Sequence, residues 1–441
     1  MIVFLSKLLN QQVTLLRDHK NVERDYEPRV VSLGPIHYGK SRYRLAEKYK
    51  LRLADDFIAK SGKGVGELYE IVEKNITQLK GCFDEEVIKK YDDEDLAWLL
   101  FVDGCAILRF IDTTVSGNFS DFKILNAHVA FGQQDLFLLE NQLPYQLLDD
   151  LMKMSLEEVK LRYSIQSFID MHSMVQKKTE NGNANNKKKR QTTINPSRPK
   201  ETIRRFSKDR ETSMGYYKDK EMPIHLLDLL RTRLLGSTKT KSPNAATLKK
   251  VDEKDWQSFR NALELKQAGI QLKRSDTRCL RDISFTKFRN FYPGILSLPP
   301  IIVDDSTRSK FLNLIAYEMC PDFENDYGVT SYISFLHSLI DEANDVIELR
   351  KARILHNFLG SDQEVAHLFN EIGTDLVPNP EIYGKVRSEI QMYYDEKWKI
   401  WISQVVHDHF SHHWTILAFI AALLALILSV IQTCNSANSA N

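Results

Sequence analysis

The stretch that most constrains this chain is WTILAFIAALLALILSVI, Trp414 to Ile431, eighteen residues without a charge. At 1.5 Å rise per helical residue it spans roughly 27 Å, close to the about 30 Å of a bilayer's hydrocarbon core. The competing reading is a buried core helix, but such helices are rarely apolar on every face over this length. A polar tail, residues 432–441, follows. The run is therefore expected to be a single transmembrane anchor, and everything before it a body that ends at a membrane.

The N-terminus, MIVFLSKLLNQQ, has no basic n-region, long apolar h-region or small-residue cleavage site. Insertion after translation, by the tail, is the expectation. Lys397 and Lys399 precede the run and no Lys or Arg follows it, which favours a cytosolic body. Two glycosylation sequons, Asn75-Ile-Thr77 and Asn118-Phe-Ser120, stand against this, because their use requires a lumenal or extracellular body. Orientation and membrane type stay open.

Sixty Lys and Arg against 59 Asp and Glu give a net charge of +1, so any charged surface must be local. Cys82, Cys105, Cys279, Cys320 and Cys434 are scattered without CxxC or metal-ligand spacing. The first four lie in apolar contexts and read as reduced core residues.

Along the chain the pattern is helical. Residues 1–28 form an N-terminal arm, and Arg29–Leu33 (RVVSL) reads as a brief extended segment. A helix from Arg42 carries Leu45, Tyr49, Leu53 and Phe57 at four-residue spacing, one apolar stripe stopped by SGKGVG. A second runs through Leu68, Ile71, Val72, Ile76 and Leu79. DEDLAWLLFVDGCAILRFID then combines an acidic first turn with near-continuous apolar residues to Ile111, a helix surrounded by protein. Pro144 divides QQDLFLLENQLPYQLLDDLM into two short helices. Glu140 and Asn141 there read as polar groups satisfied near a helix end, with no acid or base partner for Glu140 nearby in sequence.

Residues 177–220 hold 14 Lys or Arg against 5 Asp or Glu, with few large apolar residues. They are expected to be a disordered basic insert within a body spanning 29–411. A helix follows at Pro223–Leu235, with proline in its first turn. Another stops at Gly269 and leads into a strand. CLRDISFTKF and GILSLPPIIVDD suggest a small antiparallel β-patch, Ser306 a helix cap, and residues 330–357, 362–372 and 380 onward further helices. The last runs toward the anchor as one long rod. The fold class expected is mainly α: a large helical domain with a small antiparallel β-patch.

One motif points to chemistry. Gly34-Pro-Ile-His-Tyr-Gly39-Lys40-Ser41 matches the phosphate-binding pattern G-x-x-x-x-G-K-[ST], and IIVDD (301–305) looks like a strand ending in an Asp that could hold Mg²⁺. Against it, Pro35 has no N–H to offer a phosphate, and Ile36, His37 and Tyr38 crowd the loop interior. The helical surroundings also lack the alternating parallel sheet such loops sit on. HExxH and GxSxG are absent. His407, His409, His412 and His413 scatter across helix faces and read as a solvated set, not a metal site. KKKR (187–190) has no aromatic platform, so attraction to anionic lipid headgroups is a better reading than nucleic-acid binding.

Taken together, VVSLGPIHYGK, FVDGCAILRF, DLFLLENQLPYQLL, ALELKQAGIQLK, LSLPPIIVDDSTRSKFLNLIAYEMC and the KWKIW run into the anchor carry a resemblance. The chain resembles a large plant family of uncharacterised single-pass membrane proteins, named for its domain of unknown function. The resemblance implies a mainly helical domain without an established activity or cofactor. Association of some members with self-incompatibility in grasses implies recognition between proteins. It also implies that the 34–41 element is a family GPYHHGK-like feature, from which this chain departs at Ile36 and Tyr38.

The expected function is thus a membrane-anchored plant interaction or signalling protein, without catalysis, cofactor or nucleic acid, and with a protein partner. The alternatives are a nucleotide-binding protein using Gly34, Gly39, Lys40 and Ser41, or a purely structural membrane tether. Recognition is expected on loops, the segment DTTVSGNFSD after Ile111 and Pro321–Gly328, since the helix Asp95–Ile111 should be covered.

Overall fold

Helix α6, Asp93–Ser116, is the post around which the N-terminal half is assembled. The computed structural model describes residues 22–117, 119–175, 222–236, 261–287, 293–320, 323–395, 421–422 and 424–429. Before α6 come α1 (Val22–Tyr26), a 3₁₀ turn (Ser41–Tyr43), α2 (Arg44–Ser61), α3 (Val65–Lys74), α4 (Ile76–Lys80) and α5 (Glu85–Ile88). After it come α7 (Asn126–Asp135), a 3₁₀ turn (Leu139–Asn141), α8 (Tyr145–Met154) and α9 (Glu158–His172). The start of α6 is set by Asp92, whose carboxylate accepts the Asp95 amide at 2.7 Å, and its end by Gly117 in the left-handed region. From Leu96 to Leu108 its residues are buried, as expected, with Trp98 the exception. Helices α2, α3, α4, α8 and α9 surround it. Gly104 lets α8 close in, since a Cβ there would lie 2.7 Å from Leu151.

The α2 stripe holds at Leu53 and Phe57, is half-buried at Tyr49 and fails at Leu45. Leu45 is exposed, and the buried face is Ala46, Lys50, Leu53, Ala54, Phe57 and Ser61. The helix is turned to bring Lys50 onto Asp103 of α6, 2.5 Å away, and that pairing overrides the apolar count. The helix expected through Leu79 is broken at Asn75, whose amide donates to Asp150. The expected loop after Ile111 is helical to Ser116, and Asp112 is buried, accepting from Ser164 and pairing with Arg109 and Lys160.

The second half runs α10 (Leu226–Leu235), α11 (Ala262–Gln267), β1 (Ile270–Arg274), β2 (Ser284–Thr286), β3 (Gly294–Leu298), β4 (Ile301–Val303), α12 (Thr307–Glu318), α13 (Gly328–Leu339), α14 (Ala343–Lys351), β5 (Leu355–Asn357), α15 (Asp362–Gly373) and α16 (Pro380–Asp395). Pro223 lies outside α10. The buried His225 ring caps the helix instead, its Nδ1 accepting the Asp228 amide at 3.0 Å. Burial pushes His225 down to about 4 and keeps it a neutral acceptor. Gly269, at φ +84°, ends the α11 region before β1, as its position predicts. Ser306 sits at the N-cap of α12 but does not cap with its side chain. Its hydroxyl and amide both donate to Asp304.

The β-patch is mixed, not antiparallel. Among the described residues only β2–β3 pairs antiparallel, while β1 pairs parallel to β3 and β4 parallel to β5. Pro299–Pro300 prevents β3 and β4 from folding back as a hairpin, and β4 waits for β5 to return after three helices.

The two halves share one hydrophobic core that includes Leu100, Phe137, Phe311 and Phe335. Asn313 of α12 fastens them: its Oδ1 accepts the Leu139 amide at 2.8 Å and its Nδ2 donates to the Asp25 carbonyl at 2.9 Å. Arg308 adds a bond to the Asp25 carboxylate and one to Glu371. The last turn of the N-terminal arm is thus built into the body, with Tyr26 in the core. Cys82, Cys105, Cys279 and Cys320 are free, but only Cys105 is fully buried.

Residues 1–21, the basic insert 177–220 with its KKKR, Asn118, the four C-terminal histidines and Cys434 lie outside the described residues. Among the described residues no helix is long and apolar enough to cross a membrane. Of the run Trp414–Ile431, residues 421–422 and 424–429 are helical and exposed, and the remainder lies outside the described residues.

Candidate functional site

The segment 27–43 is an irregular stretch held by many side-chain bonds from the body. Arg29–Leu33 forms no strand, in contrast to its extended reading, because its amides are met by side chains. Asp135, at the end of α7, accepts the amides of Arg29, Val30 and Val31 at 2.8–2.9 Å. Burial pushes its carboxyl up to about 6, against the pull of those three N–H groups. Asn141 accepts the Leu33 amide at 2.7 Å and donates to the carbonyls of Val31 and Asp135. Asp103, wholly buried in α6, accepts the Gly34 amide at 2.8 Å. Its other oxygen takes Lys50 Nζ, which also donates to the Ser32 carbonyl at 2.9 Å and contacts Glu47 at 2.8 Å. Burial works to lower Lys50, but Asp103 and Glu47 together outweigh it and hold the ammonium above the usual lysine range.

The four residues singled out by the phosphate-loop pattern follow directly. Gly34 and Gly39 have φ of +65° and +84°, conformations that favour glycine. Lys40 Nζ lies 3.1 Å from His37 Nδ1 and 3.6 Å from Glu27, and Ser41 opens the 3₁₀ turn. His37 is buried, and its Nε2 faces Glu140 at 3.3 Å without aligning as a hydrogen bond. An ammonium can only donate, so Nδ1 accepts and a neutral His37 carries its proton on Nε2. Tyr91 donates to the Pro35 carbonyl, Tyr43 to that of Pro28, and Arg42 pairs with Glu27. Tyr38 and residues 39–42 form an exposed tip.

The loop therefore brings Gly34, Gly39, Lys40 and Ser41 together, but it directs its best-placed amide at an internal carboxylate. The Asp304 that follows β4 is engaged elsewhere: it accepts from Ser306 and Thr307 at the start of α12. Among the described residues no group of three or more His, Cys, Asp or Glu could hold a metal ion. Glu140 has a basic partner after all, one that lies over a hundred positions away in sequence. The latch acids Asp103 and Asp135 escaped the sequence reading, although each is a lone charge within an apolar run (FVDGCAIL and QQDLFLL), a signal that could have found them.

A second buried cluster lies at α12. Lys310 is pushed down to about 8 by burial, with its Nζ 3.3 Å from His172 Nδ1 and 5.7 Å from the Phe137 ring centroid. Burial also pushes His172 down, to about 3.

Comparison with known proteins places the chain. The family model DUF247, described as a plant protein of unknown function, matches residues 13–428, and the chain belongs to this family. It is similar to UPF0481 protein At3g47200 of Arabidopsis thaliana, 27% identical over 448 residues that cover 92% of this chain and 82% of the relative. A putative UPF0481 protein of the same plant, At3g02645, is 29% identical over 170 residues, 38% of this chain and 31% of the relative. No solved structure matches.

Proposed function

We propose that this member of the DUF247 family is a membrane-anchored, non-catalytic interaction protein, held at a membrane by Trp414–Ile431 and presenting its helical body to a protein partner. The observation that carries the non-catalytic reading is the engagement of Gly34, whose amide a phosphate would need and which Asp103 already occupies from inside at 2.8 Å. Lys40, the residue that would reach a phosphate, is directed to His37 and Glu27. Support for the anchor comes from the uncharged run itself and from Leu424, Leu426, Ile427 and Leu428, apolar side chains exposed on a helix and without cover from the body. Lys397 and Lys399 before the run favour a cytosolic body, against which the sequons at Asn75 and Asn118 stand.

Two measurements test this. Deleting residues 414–441 should release the protein from membranes at alkaline pH, and retention of the truncated chain would sink the anchor. Titrating the full-length protein in detergent with ATP and Mg²⁺ should show no saturable binding. Binding that is saturable in the parent and lost in Lys40→Ala would favour the second reading, a nucleotide-binding protein, which the exposed tip at 38–42 keeps open to test.

A further inference from the structure

Between Leu96 and Leu108 a single residue of α6 faces solvent, and it is a tryptophan. Trp98 is 49% exposed while Leu96, Ala97, Leu99 and Leu100 beside it are buried. Its ring lies 5.8 Å from that of Tyr69 on α3 and 5.6 Å from that of Phe101, and Tyr69 stands edge-on to Phe101 at 5.7 Å. Phe101 is buried, so the two outer rings rest on a fixed floor. Residues four apart on a helix share a face. By that spacing Glu94 flanks Trp98 on α6, while Glu73 and the exposed Val65 flank Tyr69 on α3.

Both glutamates are exposed, and neither is ion-paired among the described residues, although Lys74 pairs with Glu70 and Lys80 with Asp93 close by. Their field reaches the ledge: the Tyr69 phenol is pushed up by burial first, then by the charges of Glu73, Glu94 and Asp92. The face of an indole is electronegative, so rings and carboxylates attract the same kind of ligand, a cation. Anionic lipid or nucleic acid is repelled here. Guanidinium suits the site better than ammonium, because it stacks on aromatic faces, is more weakly hydrated and forks to carboxylates.

We propose that the Tyr69–Trp98 ledge, with Glu73 and Glu94 at its rim, docks an arginine-bearing segment of a protein partner. This names the partner chemistry for the interaction role proposed above and rests on that reading. Exposed aromatic anchors of this kind dominate protein interfaces.

The test uses the full-length protein in detergent micelles and labelled Arg-Gly, Lys-Gly and Glu-Gly repeat peptides, followed by fluorescence anisotropy. The Arg-Gly peptide should bind most tightly and the Glu-Gly peptide should not bind. Trp98→Ala should weaken Arg-Gly binding about tenfold. The Glu73→Gln, Glu94→Gln double variant, at exposed positions that leave folding intact, should do the same. Equal affinity of the parent and the double variant would overturn the proposal, as would equal binding of the Arg-Gly and Lys-Gly peptides. Replacing Lys187–Arg190 by glutamine tests the intramolecular occupant. A tenfold gain in peptide affinity on that change would mean the chain's own basic run fills the ledge, and the partner proposal would fall. Specific cross-linked partner capture by the membrane-inserted chain that Trp98→Ala leaves unchanged would sink the ledge alone. Absence of any specific capture by the parent would sink the interaction reading itself.

Discussion

Asp103 and Glu94 sit about two and a half turns apart on the same helix and live in opposite electrostatic worlds. Asp103 is wholly buried, with one oxygen on the Lys50 ammonium and the other on the Gly34 amide. Glu94 is exposed and uncommitted beside an open indole. The difference teaches how to sort the charges of a helical body by what answers them. A carboxylate taken out of water must be answered by the fold itself, and it then acts as a fastener. A carboxylate left in water without an ion-pair partner remains available to a ligand.

Breaking the fastener should have the largest effect. Asp103→Ala leaves Lys50 buried without its main partner and should lower unfolding free energy by about 3–5 kcal/mol in denaturant titration. A loss below about 1 kcal/mol would mean water reaches Lys50 and the pair is not the latch. Pairing Asp103→Leu with Lys50→Met should recover most of that loss, since apolar replacement of a buried ion pair is often neutral.

The next effect is one of pH. Asp135 titrates at about 6 in the folded protein, against about 3.9 when unfolded. A raised folded value means the native state holds the proton more readily, so this contribution is full below about pH 4 and is lost as pH rises through about 6. Relative to Asp135→Asn, the parent should therefore lose up to about 3 kcal/mol of stability between pH 4 and 7. A pH-independent difference between the two proteins would show that Asp135 is not desolvated.

Glycine replacements sharpen the same contrast within the loop. Gly34→Ala and Gly39→Ala should each cost about 1–2 kcal/mol from the left-handed backbone alone. The two costs should be alike, because a Cβ at Gly34 would make only ordinary contact with Phe83 at 3.5 Å and nothing lies within 4 Å of Gly39. A clearly larger thermal shift for Gly34→Ala would mean that more than the backbone conformation is at work there. Smallest are the surface changes. Lys40→Ala, at a largely exposed side chain, should cost less than about 1 kcal/mol. The Glu73→Gln, Glu94→Gln pair should stay within about 0.5 kcal/mol of the parent, and a larger loss would move these residues from recognition to structure.

Much of the fold could be read in advance because its causes are local. The acidic first turn of α6, the stop of α2 within SGKGVG and the stop at Gly269 each depend on residues acting within one turn of themselves, whereas the expected helix before Pro144 gives way to a 3₁₀ turn at Leu139–Asn141. Where a side chain answered a distant group, the local reading failed. Lys50 set the buried face of α2 toward Asp103 and left Leu45 exposed, and β4 took a partner strand beyond three helices. The start of α10 past Pro223 is instead a local signal missed, His225 capping the Asp228 amide three residues on.

By itself, then, the sequence determined a mainly helical body, its family and the uncharged run at its end, because periodicity, capping and hydropathy are written in consecutive residues. Only the tertiary structure decided what the 34–41 motif is attached to and which charges stay free. The His37–Glu140 contact and the Asp135 and Asp103 bonds to residues 29–34 join positions about seventy to a hundred apart. Whether Trp98 is covered is likewise settled by how α3 packs on α6. Desolvation depends on what surrounds a group in space, and no window of sequence contains that surrounding.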